Sequence, residues 1–138
     1  MADRYWVGGS GTWNTTSTTN WSAASALSFT ASCSGTTLTT TGSPALVNGM
    51  TVWAANNTSL GTITGGSGNT WTVSVGGTFA SQTMTAATTG ASVPTTADSV
   101  FFDANSSGTN AYTVTLTGAL ACLDFNNTAR TPTVNSGT

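Results

Sequence analysis

The run Thr70-Trp71-Thr72-Val73-Ser74-Val75 constrains this chain more than any other stretch. Apolar Trp71, Val73 and Val75 alternate with polar Thr70, Thr72 and Ser74. In an extended strand successive side chains point to opposite faces, so this order puts one face in a core and the other in water. A helix would need apolar positions every three or four residues. No stretch offers that period, because Gly and Thr interrupt every window long enough for a helix. Short alternating runs between turn signals recur instead, as in Thr36-Thr37-Leu38-Thr39-Thr40, Leu60-Gly61-Thr62-Ile63-Thr64 and Tyr112-Thr113-Val114-Thr115-Leu116-Thr117. The pattern predicts an all-β chain.

Composition decides whether such a chain is ordered. Only 4% of the 138 residues are charged, against roughly 25% in ordinary soluble domains. Hydration of the surface therefore falls to Thr, Ser, Asn and Gly. Disorder goes with high net charge and few aromatic or β-branched residues. Here the net charge is −2, with 5 Trp, 5 Phe and abundant Val and Thr, residues that suit pleated, half-buried surfaces. The length fits one domain or two small ones.

Low charge also excludes function classes. Arg4 and Arg130 are the two basic residues, which is no footprint for nucleic acid. No run approaches the roughly 20 apolar residues of a membrane-spanning helix. Met1-Ala2-Asp3-Arg4 lacks the basic region and apolar run of a secretory signal, so synthesis in a cytoplasm is expected.

Along the chain, three tryptophans crowd the opening. Tyr5-Trp6-Val7 reads as a strand, Gly8-Gly9-Ser10-Gly11 as a tight turn, and Thr12-Trp13-Asn14 and Asn20-Trp21-Ser22 follow. Residues 28–87 read as a self-contained module of five or so short strands, closing with Gln82-Thr83-Met84-Thr85, in a small sandwich or barrel. Asn48-Gly49 and Gly65-Gly66-Ser67-Gly68-Asn69 supply turns in it. Residues 88–138 return to the first style. Pro94 stiffens a turn into Asp98, Val100-Phe101-Phe102 makes a strand, and Asn105 to Asn110 turn the chain. Leu120, Cys122, Leu123 and Phe125 supply a further apolar face. Thr131-Pro132-Thr133-Val134 begins another strand near the last residue, as in a truncated chain. The expected division is 1–27 with 88–138 as one discontinuous β-unit, interrupted by 28–87. If so, Trp6, Trp13 or Trp21 should pack near Val100–Phe102.

The residues offer no catalytic set. The acidic residues are Asp3, Asp98, Asp103 and Asp124, and a general acid–base pair needs two carboxylates converging in a cleft. Turn chemistry suits Asp98 and Asp103 better, with their oxygens accepting nearby N–H groups. Calcium between Asp98, Asp103 and Asn105 would have few charges to hold it. There is no His to activate a nucleophile or ligate zinc. Cys33 and Cys122 read as small buried side chains, with a disulfide as the alternative. No catalytic residue, cofactor or metal is expected. The residues left for a role are aromatic: Trp6, Trp13, Trp21, Trp53 and Trp71, either packed with their N–H groups on carbonyls or presented as sugar platforms.

Two resemblances bear on function. Trp6-Val7-Gly8-Gly9-Ser10-Gly11-Thr12-Trp13-Asn14, Asn20-Trp21-Ser22, Val93-Pro94-Thr95-Thr96-Ala97-Asp98-Ser99-Val100-Phe101-Phe102-Asp103, Tyr112-Thr113-Val114-Thr115-Leu116 and Leu123-Asp124-Phe125 form an ordered series. It resembles the opening of tail fibres and other appendage proteins of tailed bacteriophages, notably marine and cyanobacterial ones, and the first coils of autotransporter-type parallel β-helix passengers. It covers about half the chain. The middle, with Ser34-Gly35-Thr36-Thr37-Leu38-Thr39, Asn48-Gly49-Met50-Thr51-Val52, Gly61-Thr62-Ile63-Thr64, Trp71-Thr72-Val73-Ser74 and Ser81-Gln82-Thr83-Met84-Thr85, resembles a small all-β module of phage structural proteins. It departs from that pattern at Trp53-Ala54-Ala55-Asn56-Asn57, where a Gly-rich turn often sits.

The resemblances imply a non-enzymatic virion protein, the particle-proximal N-terminal part of a tail fibre, with the outer unit as the possible start of a β-helix or shaft. Expected partners are a tail or neck adaptor or the capsid, in a homotrimer, with no nucleic acid and no membrane. The alternatives are a capsid decoration protein and a carbohydrate-binding module.

Overall fold

A computed structural model describes residues 1–108 and 111–127 and the strand at 133–136. The described residues are all-β, with no helix among them. The strands are β1 (Asp3–Trp6), β2 (Gly11–Trp13), β3 (Trp21–Ser22), β4 (Leu27–Thr40), β5 (Thr51–Trp53), β6 (Ser59–Ser67), β7 (Thr70–Ala87), β8 (Ser99–Phe102), β9 (Thr113–Leu116), β10 (Asp124–Asn127) and β11 (Thr133–Ser136). They form three sheets, ordered β10-β8-β1-β3, β11-β9-β2 and β4-β7-β5-β6.

The third sheet draws only on residues 27–87. Its spine is an antiparallel ribbon of β4 and β7, from Leu27 opposite Ala86 to Thr39 opposite Thr70. β5 pairs with the far end of β7, where Trp53 faces Thr85. β6 pairs with the near end, where Ile63 faces Val73, and β5 and β6 pair with each other. For one strand to meet both, β7 has to bend. The bend falls at Gly76-Gly77, opposite Gly35, and Gly76 has φ of 75°. A Cβ on Gly76 would collide with the Gly35 carbonyl oxygen, so a side chain there would force the two backbones apart.

Leu38, Val52, Leu60, Ile63, Val73 and Met84 fill the concave side. As the alternation predicts, Trp71 and Val73 are buried while Thr70, Thr72 and Ser74 are exposed. Val75 departs from the pattern: it abuts the bend and is 68% exposed.

Two expectations for this region fail. The segments at 70–75 and 82–85 belong to one strand, because the glycines between them bend the chain without reversing it. Of the sandwich or barrel expected here, the barrel is absent, since none of the three sheets closes. Thr41 N donates to Thr30 O at 2.9 Å, bridging the ends of β4, but one hydrogen bond is not a ladder.

The other two sheets are built from residues on either side of that region. β8 pairs in parallel with β1 and with β10. β9 does the same with β2 and β11. Three strand pairs, β1/β2, β8/β9 and β10/β11, thus lie one on the next. β3 runs antiparallel on the far side of β1, with Trp21 opposite Trp6, and covers the β1 edge, while β2 is a terminal strand of its sheet.

Their core is aromatic: Trp6, Trp13, Trp21, Val100, Phe102, Tyr112 and Val114. The expected long-range contact is present. The Trp6, Trp13 and Trp21 rings lie 5.8, 6.5 and 6.4 Å from Phe102. The expected turn residues Thr109 and Asn110 and the strand start at Thr131-Pro132 lie outside the described residues.

Candidate functional site

The five indoles separate into two regions and a seam. Trp6, Trp13 and Trp21 meet edge to face, with centroids 5.0 Å apart for Trp6–Trp21 and 5.1 Å for Trp13–Trp21. That geometry suits the ring quadrupoles. Trp71 belongs to the concave core, and Trp53 sits in a third cluster with Val7, Ala26 and Ala87. All five are buried, with at most 8% of any one exposed, so none offers an open ring face for a sugar. Trp6 Nε1 donates to Gly9 O at 2.6 Å and Trp71 Nε1 to Gly68 O at 3.0 Å. Trp21 Nε1 is buried with no hydrogen-bond partner among the described residues, as is Thr85 Oγ1.

The carboxylates serve the backbone. Asp98 Oδ2 accepts from Thr95 N at 3.0 Å and Thr95 Oγ1 at 2.8 Å, and its Oδ1 accepts from Ala2 N at 3.2 Å. The Thr95 hydroxyl and N–H, with smaller help from the Arg4 charge and the Ala2 N–H, hold the Asp98 carboxyl below its ordinary pKa against the opposing effect of burial. One turn thereby fixes the N-terminus beside β8. Asp103 Oδ1 accepts from Asn105 N at 2.8 Å. Asp98 and Asp103 flank opposite ends of β8, so they cannot share a cation with Asn105. No group of three or more potential metal-ligating side chains exists among the described residues.

Cys33 and Cys122 are free thiols. Burial raises the pKa of both, and nearby Asp124 adds to the rise at Cys122. Higher pKa means less thiolate and less reactivity.

The seam between the two regions is specific. Gly8, at φ 81°, lies so close to the Trp53 indole that a Cβ would sit 2.7 Å from Cε2. Asn57 adopts φ 65°. Its Oδ1 accepts from Ser107 Oγ at 3.0 Å and Gly108 N at 2.9 Å. The segment 54–57 that departs from the expected Gly-rich turn is therefore the segment that grips the stack. A groove of about 360 Å³ opens beside the crossover segments 22–25 and 86–91, with Met50 in its wall. Its lining is small and mostly apolar, with no convergent polar groups.

At the opposite end from β3 lies the last layer of the stack among the described residues. β10 and β11 are terminal strands of their sheets. Phe125 packs on Phe102 at 5.1 Å, yet it remains 46% exposed and Leu123 52% exposed. These two were expected in a core face with Leu120 and Cys122. Leu120 and Cys122 do pack on the aromatic core, whereas Leu123 and Phe125 have no covering layer among the described residues. Sequence alone could not mark this end, because Leu123 and Phe125 read as core in any alternating pattern.

No protein-family model matches the chain, and no curated protein and no solved structure matches it either.

Proposed function

We propose that this chain is a virion structural protein, the particle-proximal N-terminal part of a phage tail fibre that joins the fibre to the tail or neck and supports host adhesion. The observation that carries the reading is the parallel stack of β1/β2, β8/β9 and β10/β11, with β3 antiparallel beside β1. Such a stack is suited to be the first coils of a β-helix or fibre shaft, with the 27–87 sheet as a module inserted between its first and second coils.

The contact with neighbours would rest on backbone hydrogen bonds and apolar strand faces, since four carboxylates and two arginines leave little for charge to do. Three copies with parallel axes form the expected assembly. The carbohydrate-binding alternative loses support from the burial of every indole. The decoration-protein alternative is separated by position in the particle.

Imaging the chain in its native assembly, by cryo-electron microscopy or gold-labelled antibody, tests the reading. Copies in threes at the tail or neck are expected. Copies spread over the capsid lattice would favour decoration, and a lone monomer remote from tail and capsid would overturn both.

A further inference from the structure

We infer that Asn48-Gly49 is a site of spontaneous deamidation, in which the Gly49 nitrogen displaces the Asn48 side-chain amide as ammonia and water then leaves an acid at position 48. Its chemistry is that of the turn itself and does not depend on the virion reading.

Three observations carry it. First, this is the chain's single Asn-Gly pair. Every other asparagine is followed by a residue whose side chain crowds the nitrogen that would attack. Second, the pair sits at an open turn tip. Both residues are exposed, and a Cβ on Gly49 would meet nothing within 4 Å, so ring closure finds no neighbour in its way. Gly49 has φ of 89° while Asn48 stays outside the positive region, the order of a type II turn, and Met50 N donates to Val47 O at 3.3 Å. Third, the Asn48 carboxamide is unengaged. Those of Asn14, Asn20, Asn56, Asn57, Asn69 and Asn105 are hydrogen-bonded, whereas that of Asn48 has no such partner among the described residues.

The atoms balance with water as the co-reactant. Gly49 N gives its proton to hydroxide and attacks Asn48 Cγ. The new bond closes a five-membered succinimide, and the side-chain nitrogen leaves as ammonia with a proton from solvent. Water then adds to one of the two ring carbonyls and breaks the bond between that carbon and Gly49 N. Opening at Cγ gives aspartate. Opening at the main-chain carbonyl gives isoaspartate, whose backbone runs through the former side chain and is one methylene longer. Either product is the first carboxylate between Tyr5 and Ala97, and takes the formal net charge from −2 to −3. The fold sets the rate. Gly49 N donates to Ile63 O at 2.9 Å, and Ile63 N donates to Met50 O at 2.8 Å. This bridge to β6 holds the Gly49 proton and keeps the nitrogen from Asn48 Cγ, so attack waits on its local opening.

The test incubates the full chain in mildly alkaline buffer, separates acidic species by anion exchange and locates the amide-to-acid mass gain by tandem mass spectrometry. Gain at position 48 ahead of every other asparagine is expected, with isoaspartate detected by isoaspartyl methyltransferase labelling. The urea-unfolded chain should convert faster by about tenfold or more, the scale on which a closed local bridge suppresses opening. Asn48→Gln should abolish the early acidic species, because glutamine would have to close a larger ring and does so far more slowly. Position 48 is exposed, so this variant keeps the fold, which far-ultraviolet circular dichroism checks. In the isoaspartate form, amide exchange at Gly49 should quicken while β4 and β7 keep their protection.

Conversion of another asparagine first would overturn the inference, as would an undiminished early acidic species in Asn48→Gln. A folded chain still unconverted long after the unfolded chain is consumed would overturn it too. Equal rates in the folded and unfolded chains, or unchanged exchange at Gly49 in the isoaspartate form, would overturn the part played by the Ile63 bridge. None of these outcomes bears on where the chain sits in a particle, which imaging decides separately.

Discussion

The bent sheet and the parallel stack solve the same problem in opposite ways. In the bent sheet one antiparallel ribbon, β4 with β7, carries the structure, and its core is mostly aliphatic. The stack is assembled from strands of two to four residues in ladders that are chiefly parallel, a pairing slightly weaker per residue. It compensates with rings, four of which meet around Phe102. Charge divides in the same way. Every charged residue lies before Tyr5 or after Ala97, so the bent sheet has no ionisable carboxylate or cation at all. Long backbone ladders hold a fold with little help from side chains, whereas short ones need large interlocking side chains.

The contrast can be broken most forcefully at Phe102. Phe102→Ala should destabilise the stack by about 3–5 kcal/mol, the usual range for a buried ring. Hydrogen exchange should show protection lost in β1, β8 and β10 and kept in β4 and β7. Equal loss in all five strands would mean that the two regions stand or fall together.

In the bent sheet the comparable weak point is backbone. Gly76→Ala adds a methyl against the Gly35 carbonyl at positive φ, and strain of about 1–3 kcal/mol is expected. A thermal melt followed by exchange at β4 and β7 checks it. An unchanged melt would show that the corner relaxes freely.

Asn57→Ala should cost about 2 kcal/mol by removing the two hydrogen bonds across the seam. Its sharper signature is local: amide exchange at Gly108, whose N–H the Asn57 side chain accepts, should quicken while β4 and β7 keep their protection.

The smallest effect is expected from acid. Because the folded Asp98 pKa is lowered, its stabilising contribution is complete above the unfolded carboxyl value near ~4 and fades as pH falls through the folded one. Exchange at the N-terminal strand should quicken below about pH 4, and Asp98→Asn should remove much of that dependence. The bent sheet, lacking carboxylates, should show none of it.

What was legible in the sequence follows the same division. The alternation at Thr70–Ser74 gave strand and facing correctly, because period-two patterning is local. Trp6, Trp13, Trp21 and Phe102 were legible as one cluster despite the gap, because so many rings in so few residues need a shared interior. Gly76-Gly77 was opaque: whether a glycine pair reverses or bends a strand depends on Gly35 opposite it, which no local pattern contains. Phe125 and Leu123 were opaque for a different reason. Their exposure depends on being in the last of the described layers, and layer order is set by pairings between residues far apart, as Asp3 with Ser99. The grip of Asn57 on Ser107 and Gly108 was hidden likewise.

The two crossings between the regions lie side by side, with Ala91 N donating to Trp21 O at 3.1 Å and Leu27 facing Ala86. Joining β1 to β8 means closing a loop of about 90 residues; with the bent sheet formed, about 20 remain between Trp6 and Leu27 and about 11 between Ala87 and Ser99, and the entropy of closure falls with the logarithm of the length removed. A formed bent sheet therefore lowers the entropic cost of pairing β1 with β8.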